Sequence, residues 1–243
     1  MKLSVVIPAH NEEGYIGGCL AAAREAERVL GDDVEIVVVL NRCTDRTRTL
    51  AEAARAVCVI DETRCLSAIR NRGVAAASGD VIVTCDADSR LHPQMLFAVR
   101  ERLEAGAVGG GVDVKHDRRS LGIATTELLL RLSVRLTGVS CGAFSGRKAD
   151  VIACGGFDEH LPMGEDLDFG KRLRALGKGR GQPYLTLWET PVTTSSRKFD
   201  RFGDWAFFKM MLLDGMRIRR SLKGRDTEFV DEYFYDFNDN GDA

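Results

Sequence analysis

Two carboxylates spaced two residues apart, Asp86 and Asp88, follow the apolar run Val81-Ile-Val-Thr-Cys85. The run has no helical period and reads as a buried strand. Residues i and i+2 of an extended chain point to the same side, so both acids would aim at one spot. Carboxylates brought together repel unless a cation or a set of hydroxyl donors sits between them. A divalent metal carrying a phosphorylated ligand meets that condition. A solvated Asp-rich turn ahead of Pro93 fits the same letters.

Elements able to position this pair precede it. Residues 2–7 form an apolar strand expected to stop at Pro8, whose missing N–H cannot serve a central ladder. Asn11 is then placed to cap a helix, with Glu12 and Glu13 suited to its positive end. Ile16, Leu20, Ala23 and Leu30 fall on one side of that helix. Residues 34–40 are apolar on both faces and run into Asn41-Arg-Cys-Thr-Asp-Arg-Thr47. An alanine-rich helix reaching Ala56, a short strand over 56–60 and a helix over 67–78 lead into the Val81 strand. Such alternation predicts a parallel sheet, whose ligands bind at the carboxyl ends of its strands. Residues 8–12, 41–45 and 86–88 are all carboxyl ends, so three polar clusters converge on one crevice.

The residues Val5-Val-Ile-Pro-Ala-His-Asn-Glu-Glu13, Thr44-Asp-Arg-Thr47, Arg70-Asn-Arg-Gly73, Gly79-Asp80, Asp86-Ala-Asp88, Gly155-Gly-Phe-Asp158 and Gly164-Glu-Asp166 occur in this order. Each is weak alone. As an ordered set spanning roughly residues 3–200, they make the chain resemble a family 2 glycosyltransferase of the GT-A fold. The resemblance implies a mostly parallel central sheet flanked by helices on both faces, with a C-terminal helical extension. It divides the chain into a catalytic domain over 1–200 (nucleotide half 1–90, acceptor half 91–200) and an extension over 201–243. The implied activity is metal-dependent, inverting transfer of a hexosyl group from a nucleotide-diphospho-sugar to an acceptor hydroxyl of a lipid-linked saccharide, a polysaccharide or a small metabolite. By position, Pro8, Ala9, Asn11, Glu12 and Asn41 would surround the base and Arg70 would lie beside it. Asp86 would hold the ribose, and Asp88 would hold Mn2+ or Mg2+.

The family usually has an aspartate after the second strand, where this chain has Leu40-Asn41. Asparagine's carbonyl can accept the uracil N3–H and its amide can donate to a ring carbonyl. UDP is therefore the default, with guanine and thymine nucleotides permitted.

In the second half, Gly109-Gly-Gly111 reads as a strand that brings backbone close to a neighbour, or as a flexible edge. Residues 121–136 form an expected helix with Glu127, Arg131 and Arg135 as one polar stripe on an apolar cylinder. Deep burial is the favoured explanation over contact with a hydrophobic acceptor or a membrane. Gly164-Glu-Asp166 opens another helix, where acids ordinarily serve the helix dipole. The resemblance instead makes Asp166 the base that removes the acceptor proton, with Glu165 orienting acceptor hydroxyls. Thr194-Ser-Ser-Arg-Lys198 falls where many relatives place a metal-binding histidine. Here Arg197 or Lys198 can grip the diphosphate, or both can be solvated.

Composition fits a single enzyme domain with an appendage: 243 residues, 44% apolar content and a net charge of −2. That charge gives no reason to expect nucleic acid. Seven cysteines without metal-ligand spacing suggest reduced thiols and a cytoplasmic setting. The first residues already read as a core strand, so no signal peptide is expected, and no run approaches the ~20 apolar residues of a membrane span. Trp205, Phe207, Phe208, Met210, Met211 and Met216 stand beside Arg217, Arg219, Arg220 and Lys223. Over 201–223 that pattern suits peripheral contact with the inner face of a membrane, a homodimer contact, or a helix packed on the domain. Seven acids and no base follow Arg225. Two other classes compete with the transferase. A sugar-phosphate nucleotidylyltransferase would need a Gly-rich triphosphate loop after the first strand, which Pro8-Ala-His-Asn11 is not. A non-catalytic nucleotide-sugar-binding scaffold would not need Asp86, Asp88, Glu165 and Asp166 together.

Overall fold

Period-two apolar alternation decides the sheet. In β1 (Leu3–Ala9), Leu3, Val5, Ile7 and Ala9 enter one core and Val6 the other. In β2 (Val34–Asn41), Val34, Ile36, Val38 and Leu40 oppose Val37 and Val39 in the same way. Strands that are apolar on both faces must be covered on both. The computed structural model describes residues 1–140, 142–205, 207 and 208, and shows both faces covered. On one side lie α1 (Ile16–Leu30), α2 (Thr47–Ala53) and α4 (Met95–Glu104), and on the other α3 (Leu66–Ala76), α6 (Lys148–Ala153) and α7 (Glu165–Arg180).

The remaining strands are β3 (Val57–Asp61), β4 (Val81–Thr84), β5 (Ser89–Arg90), β6 (Gly109–His116), β7 (Phe144–Arg147) and β8 (Tyr184–Thr194). They join in the order β3-β2-β1-β4-β7-β6-β8-β5. Strands β1 to β4 are parallel, β7 runs antiparallel between β4 and β6, and β5 pairs antiparallel with β8. The expected mostly parallel sheet is present. Its antiparallel pairings involve β5 and β7, after β4, where strict alternation of strand and helix ends.

Several local expectations change. Strand β1 runs through Pro8 to Ala9, because pairing with β4 stops at Val6 while pairing with β2 continues to Ala9. Proline thus sits where only one neighbour remains. Helix α1 starts at Ile16, without a side-chain cap or an acid in its first turn. Asn11 is left-handed at φ 50 and caps nothing; its Oδ1 accepts from the Thr44 backbone N–H at 2.8 Å. Strand β4 ends at Thr84, and Asp86 and Asp88 lie in a turn closed by the Ser89 N–H on the Asp86 carbonyl. The boundary expected at 200 falls inside α8 (Arg197–Phe202). Of the aromatic and methionine-rich segment, only Trp205, Phe207 and Phe208 are described; its other named residues and the acidic tail lie outside the described residues.

Helix α5 (Leu121–Thr137) is not deeply buried as expected: it buries Gly122, Ile123, Thr126 and Val134, while Leu121 is 77% and Leu136 88% exposed. Glu127 and Arg131 of its polar stripe turn inward and Arg135 is exposed. The cause is polar satisfaction. Buried Asp113 takes both prongs of Arg131, at 3.0 and 2.8 Å, and Glu127 accepts from the His116 backbone N–H at 2.8 Å.

Close backbone contacts explain two glycines. Strand β6 is interior, and a Cβ on Gly110 would lie 1.6 Å from the Leu185 carbonyl oxygen. Gly73 lets α3 settle on the sheet, since a Cβ there would meet Val6 Cγ1 at 2.3 Å and Val39 Cγ2 at 2.8 Å. Gly73→Ala should therefore lower the stability of the fold by about 1–3 kcal/mol through overpacking. Gly17, with nothing within 4 Å of a built Cβ, is the control. Gly17→Ala should raise stability by about 0.5–1 kcal/mol through helix propensity. Urea midpoints of the two variants check this pair, and equal shifts would remove the packing explanation.

Candidate active site

The sheet builds outward from β1 through β2 to β3, then returns to β4 on the other side of β1. At such a switch the loops after adjacent strands diverge and open a crevice. The loops after β1 and β4 carry Glu12 and the Asp86–Asp88 pair.

Hydrogen bonds lock the loop after β1 to the loop after β2. Thr47 Oγ1 accepts from the Glu12 N–H at 2.7 Å, and Asp45 Oδ2 accepts from the Glu13 N–H at 2.9 Å. Glu13 Oε2 in turn accepts from the Arg46 N–H at 2.9 Å. The Thr44-Asp-Arg-Thr47 motif is therefore a clamp that fixes the Asn11-Glu12 backbone. Asn41 is occupied as well. Its amide donates to the carbonyls of Asp61 and Thr63 at 2.9 and 2.8 Å, and its Oδ1 accepts from Arg42 Nε. The amide expected to donate to a ring carbonyl is thus committed to the end of β3 and the loop after it. Pro8 and Ala9 lie buried in the strand end beside this lock.

Asp88 faces cations. The two-residue β5 pairs Ser89 with Thr194, and the Ser195 N–H reaches the Asp88 carbonyl at 3.1 Å. Asp117 accepts from both Ser196 N–H and Oγ, fixing the start of α8. This register delivers Arg197 to Asp88, with Nη2 3.0 Å from Oδ2. The same guanidinium grips Glu12 through both carboxylate oxygens, at 2.8 and 2.6 Å, and lies over the Tyr15 ring at 4.6 Å. Burial pushes the Asp88 carboxyl above its ordinary value, while Arg197 and Lys198 pull it back. Burial pushes Lys198 below the usual lysine range, against the attraction of Asp88. Of these residues, Lys198 and the orienting Asp117 and Ser196 carry the least signal in the sequence. Adjacency to Arg197 pointed to the first, and nothing local points to the other two.

The second cluster is built on buried Arg70. Its Nη2 donates to Asp86 Oδ1 at 3.0 Å and its Nη1 to Glu165 Oε1 at 2.6 Å. Burial opposes its charge, yet Asp86, Glu165 and Asp166 hold it above the ordinary arginine value. Next to it, Asn71 brackets the Phe157 backbone, accepting from the N–H and donating to the carbonyl, each at 2.8 Å. Phe157 stacks on Phe169 of α7 at 4.4 Å, and Arg70 faces its ring at 5.4 Å. The Arg70-Asn-Arg-Gly73 motif thus holds the Gly155-Gly-Phe-Asp158 turn and the start of α7. Arg70, expected beside the base, has two of its nitrogens committed to these acids.

Asp166 follows Glu165 in the first turn of α7, half-buried, accepting from the Gly142 N–H at 3.3 Å. Burial pushes its carboxyl up to about 6, and the charge of Glu165 adds to the rise while Arg70 opposes it. A carboxylate at that value exchanges protons near neutral pH.

A divalent cation at Asp88 was expected. The donor set does not fit one built by the protein. Asp88 is paired to a guanidinium, Asp86 to another, and among the described residues no group of three His, Cys, Asp or Glu side chains can share an ion. His116, which pairs with Thr194 in the sheet, gives its Nδ1 to Glu127. His10 Nδ1 contacts the Asn41 carbonyl at 2.7 Å.

Removing the Arg70 charge leaves Asp86 and Glu165 uncompensated. Arg70→Met should cost roughly 3–5 kcal/mol of stability. Arg70→Lys, which keeps the charge but cannot fork, should cost less. Denaturant titration compares them, and a loss as large for lysine as for methionine would count against the charge as the cause.

The description Glycosyl transferase family 2 matches residues 4–148, more than half of the chain. The undecaprenyl-phosphate 4-deoxy-4-formamido-L-arabinose transferase of Klebsiella pneumoniae is 28% identical over 155 residues, 59% of this chain and 46% of that protein. Glycosyltransferase AglE of Haloferax volcanii is 28% identical over 189 residues, 72% of this chain and 62% of that one. The chain thus spans less than two thirds of either relative. Staphylococcus aureus TarS 1-349 in complex with UDP superposes with a TM-score of 0.62 at 18% identity, covering 98% of this chain and 70% of that one. Glucosyl-3-phosphoglycerate synthase of Mycobacterium tuberculosis, in complex with Mn2+, UDP and phosphoglyceric acid, gives 0.59 at 19% identity, over 92% and 78% of the two chains. These likenesses carry the GT-A fold, and the family match carries the assignment: this chain belongs to glycosyl transferase family 2.

Proposed function

We infer that this chain moves a sugar from a nucleoside diphosphate, with UDP as the default carrier, to a hydroxyl of a lipid-linked saccharide or polysaccharide. The observation that carries this reading is Asp166, a half-buried carboxyl pushed up to about 6, beside Glu165, which Arg70 joins to Asp86 at the donor crevice. Asp166 would take the acceptor proton as its oxygen attacks the anomeric carbon, and the diphosphate would leave from the opposite side with inversion. Glu165, held by Arg70, would orient the acceptor and keep Asp166 basic. Asp86, 42% exposed at its side chain, has room to meet a ribose hydroxyl while bonded to Arg70. The acceptor class follows a relative named for undecaprenyl phosphate, and the UDP default follows TarS and glucosyl-3-phosphoglycerate synthase, whose structures hold UDP. No helix among the described residues is long and apolar enough to cross a membrane.

The base assignment has two readouts. Asp166→Asn should lower turnover roughly 10²–10⁴-fold while leaving nucleotide affinity nearly intact, because the amide keeps the shape but cannot take a proton. Retained turnover would pass the role to Glu165. In the wild type, Asp166 acts as the carboxylate, so rate should fall as pH drops through about 6. Glu165→Gln removes a charge that raises Asp166, so the acid limb of the profile should move to lower pH. A limb that stays in place would separate Glu165 from the base.

A further inference from the structure

The mismatch at Asp88 concerns the departing diphosphate, and it rests on the nucleotide reading above. A metal at this place would do two things: hold the phosphate oxygens and meet the negative charge that grows as the sugar leaves. Its protein anchor would be a carboxylate free to bind it. In this chain Asp88 already lies 3.0 Å from Arg197 Nη2, with the two side chains 15% and 16% exposed. Lys198 follows in α8, where burial lowers its value below the lysine range and the charges of Asp88 and Asp86 oppose that fall. A divalent ion would have to displace the Arg197 guanidinium from Asp88, whereas phosphate oxygens are complementary to guanidinium and ammonium donors.

The cations are held in place rather than swept over the surface. Arg197 is forked onto Glu12 and stacked on Tyr15. Its backbone start is fixed by Asp117 on Ser196 and by the Ser89–Thr194 pairing. Glu12 is fixed in turn by Thr47. These contacts hold the guanidinium in one place beside Asp88.

We propose that Arg197 and Lys198 supply the positive charge a divalent cation would bring, so that donor binding and sugar transfer in this chain need no metal. The acceptor oxygen forms its bond to the anomeric carbon and its proton passes to Asp166. The bond from that carbon to the phosphate oxygen breaks, and its electron pair stays on the nucleoside diphosphate. The added negative charge is met by the guanidinium and the ammonium. Asp88 is then a positioning residue that aims Arg197.

Calorimetry of UDP and GDP binding to the full chain, in EDTA and in Mn2+, tests this. The bound nucleotide should show the same affinity in both buffers. Lys198→Met should weaken it about ten- to a hundred-fold in both, the loss of a charged contact, and Lys198→Arg should restore most of it. Lys198 is the substitution of choice because Arg197 also holds Glu12. Wild-type affinity that collapses in EDTA and returns with Mn2+ overturns the proposal while leaving the nucleotide site standing. Unchanged affinity in Lys198→Met overturns it too. An absence of binding in either buffer overturns the nucleotide reading and this proposal with it.

Discussion

Arg70 is the interaction on which the rest of the site depends. A guanidinium buried in the sheet-facing side of α3 is costly unless its charge is matched and its nitrogens are bonded. It is matched by one acid from each half, Asp86 past β4 and Glu165 at the head of α7. That requirement fixes where α7 begins relative to the donor crevice. It also sets the local charge: one cation among three carboxylates leaves Asp166 in surplus, which burial converts into a carboxyl that titrates near neutrality.

Arg197 repeats the device on the other wall of the crevice. It joins Glu12 after β1 to Asp88 after β4, with a residue supplied from beyond β8. Each arginine therefore closes a long-range loop between segments that the chain visits far apart. Both are planar forks meeting carboxylates, a geometry lysine cannot reproduce. The site is an alternation of acids and fixed cations, and a nucleoside diphosphate would enter as one more anion in that pattern.

What the sequence reveals here follows the range of the physics. The period-two cores of β1 and β2, the crossover helices and the convergence of three carboxyl ends are local patterns, and they are where the alternation says. Asn11 as a helix cap was also a local inference, and it failed because Thr44 across the loop competes for its side chain. The expected deep burial of α5 fails for a similar reason. Its apolar letters suggest a covered cylinder, but Asp113 draws Arg131 inward and leaves Leu121, Leu128 and Leu136 exposed. The commitment of the Asn41 amide hydrogens to the carbonyls of Asp61 and Thr63 is likewise long-range and has no signal at Asn41 itself. The pairing of Arg70 with Glu165 lies 95 residues apart and has no local signature at all.

The charge balance at Arg70 is best measured at Asp166 itself, by following its carboxyl carbon through a pH titration with site-resolved NMR in the wild type and in Arg70→Met. The account predicts a midpoint at about 6 in the wild type, and a higher one in the variant, since Arg70 is the group that draws the value down. A midpoint at the ordinary 3.8 of an aspartate in both proteins would contradict it.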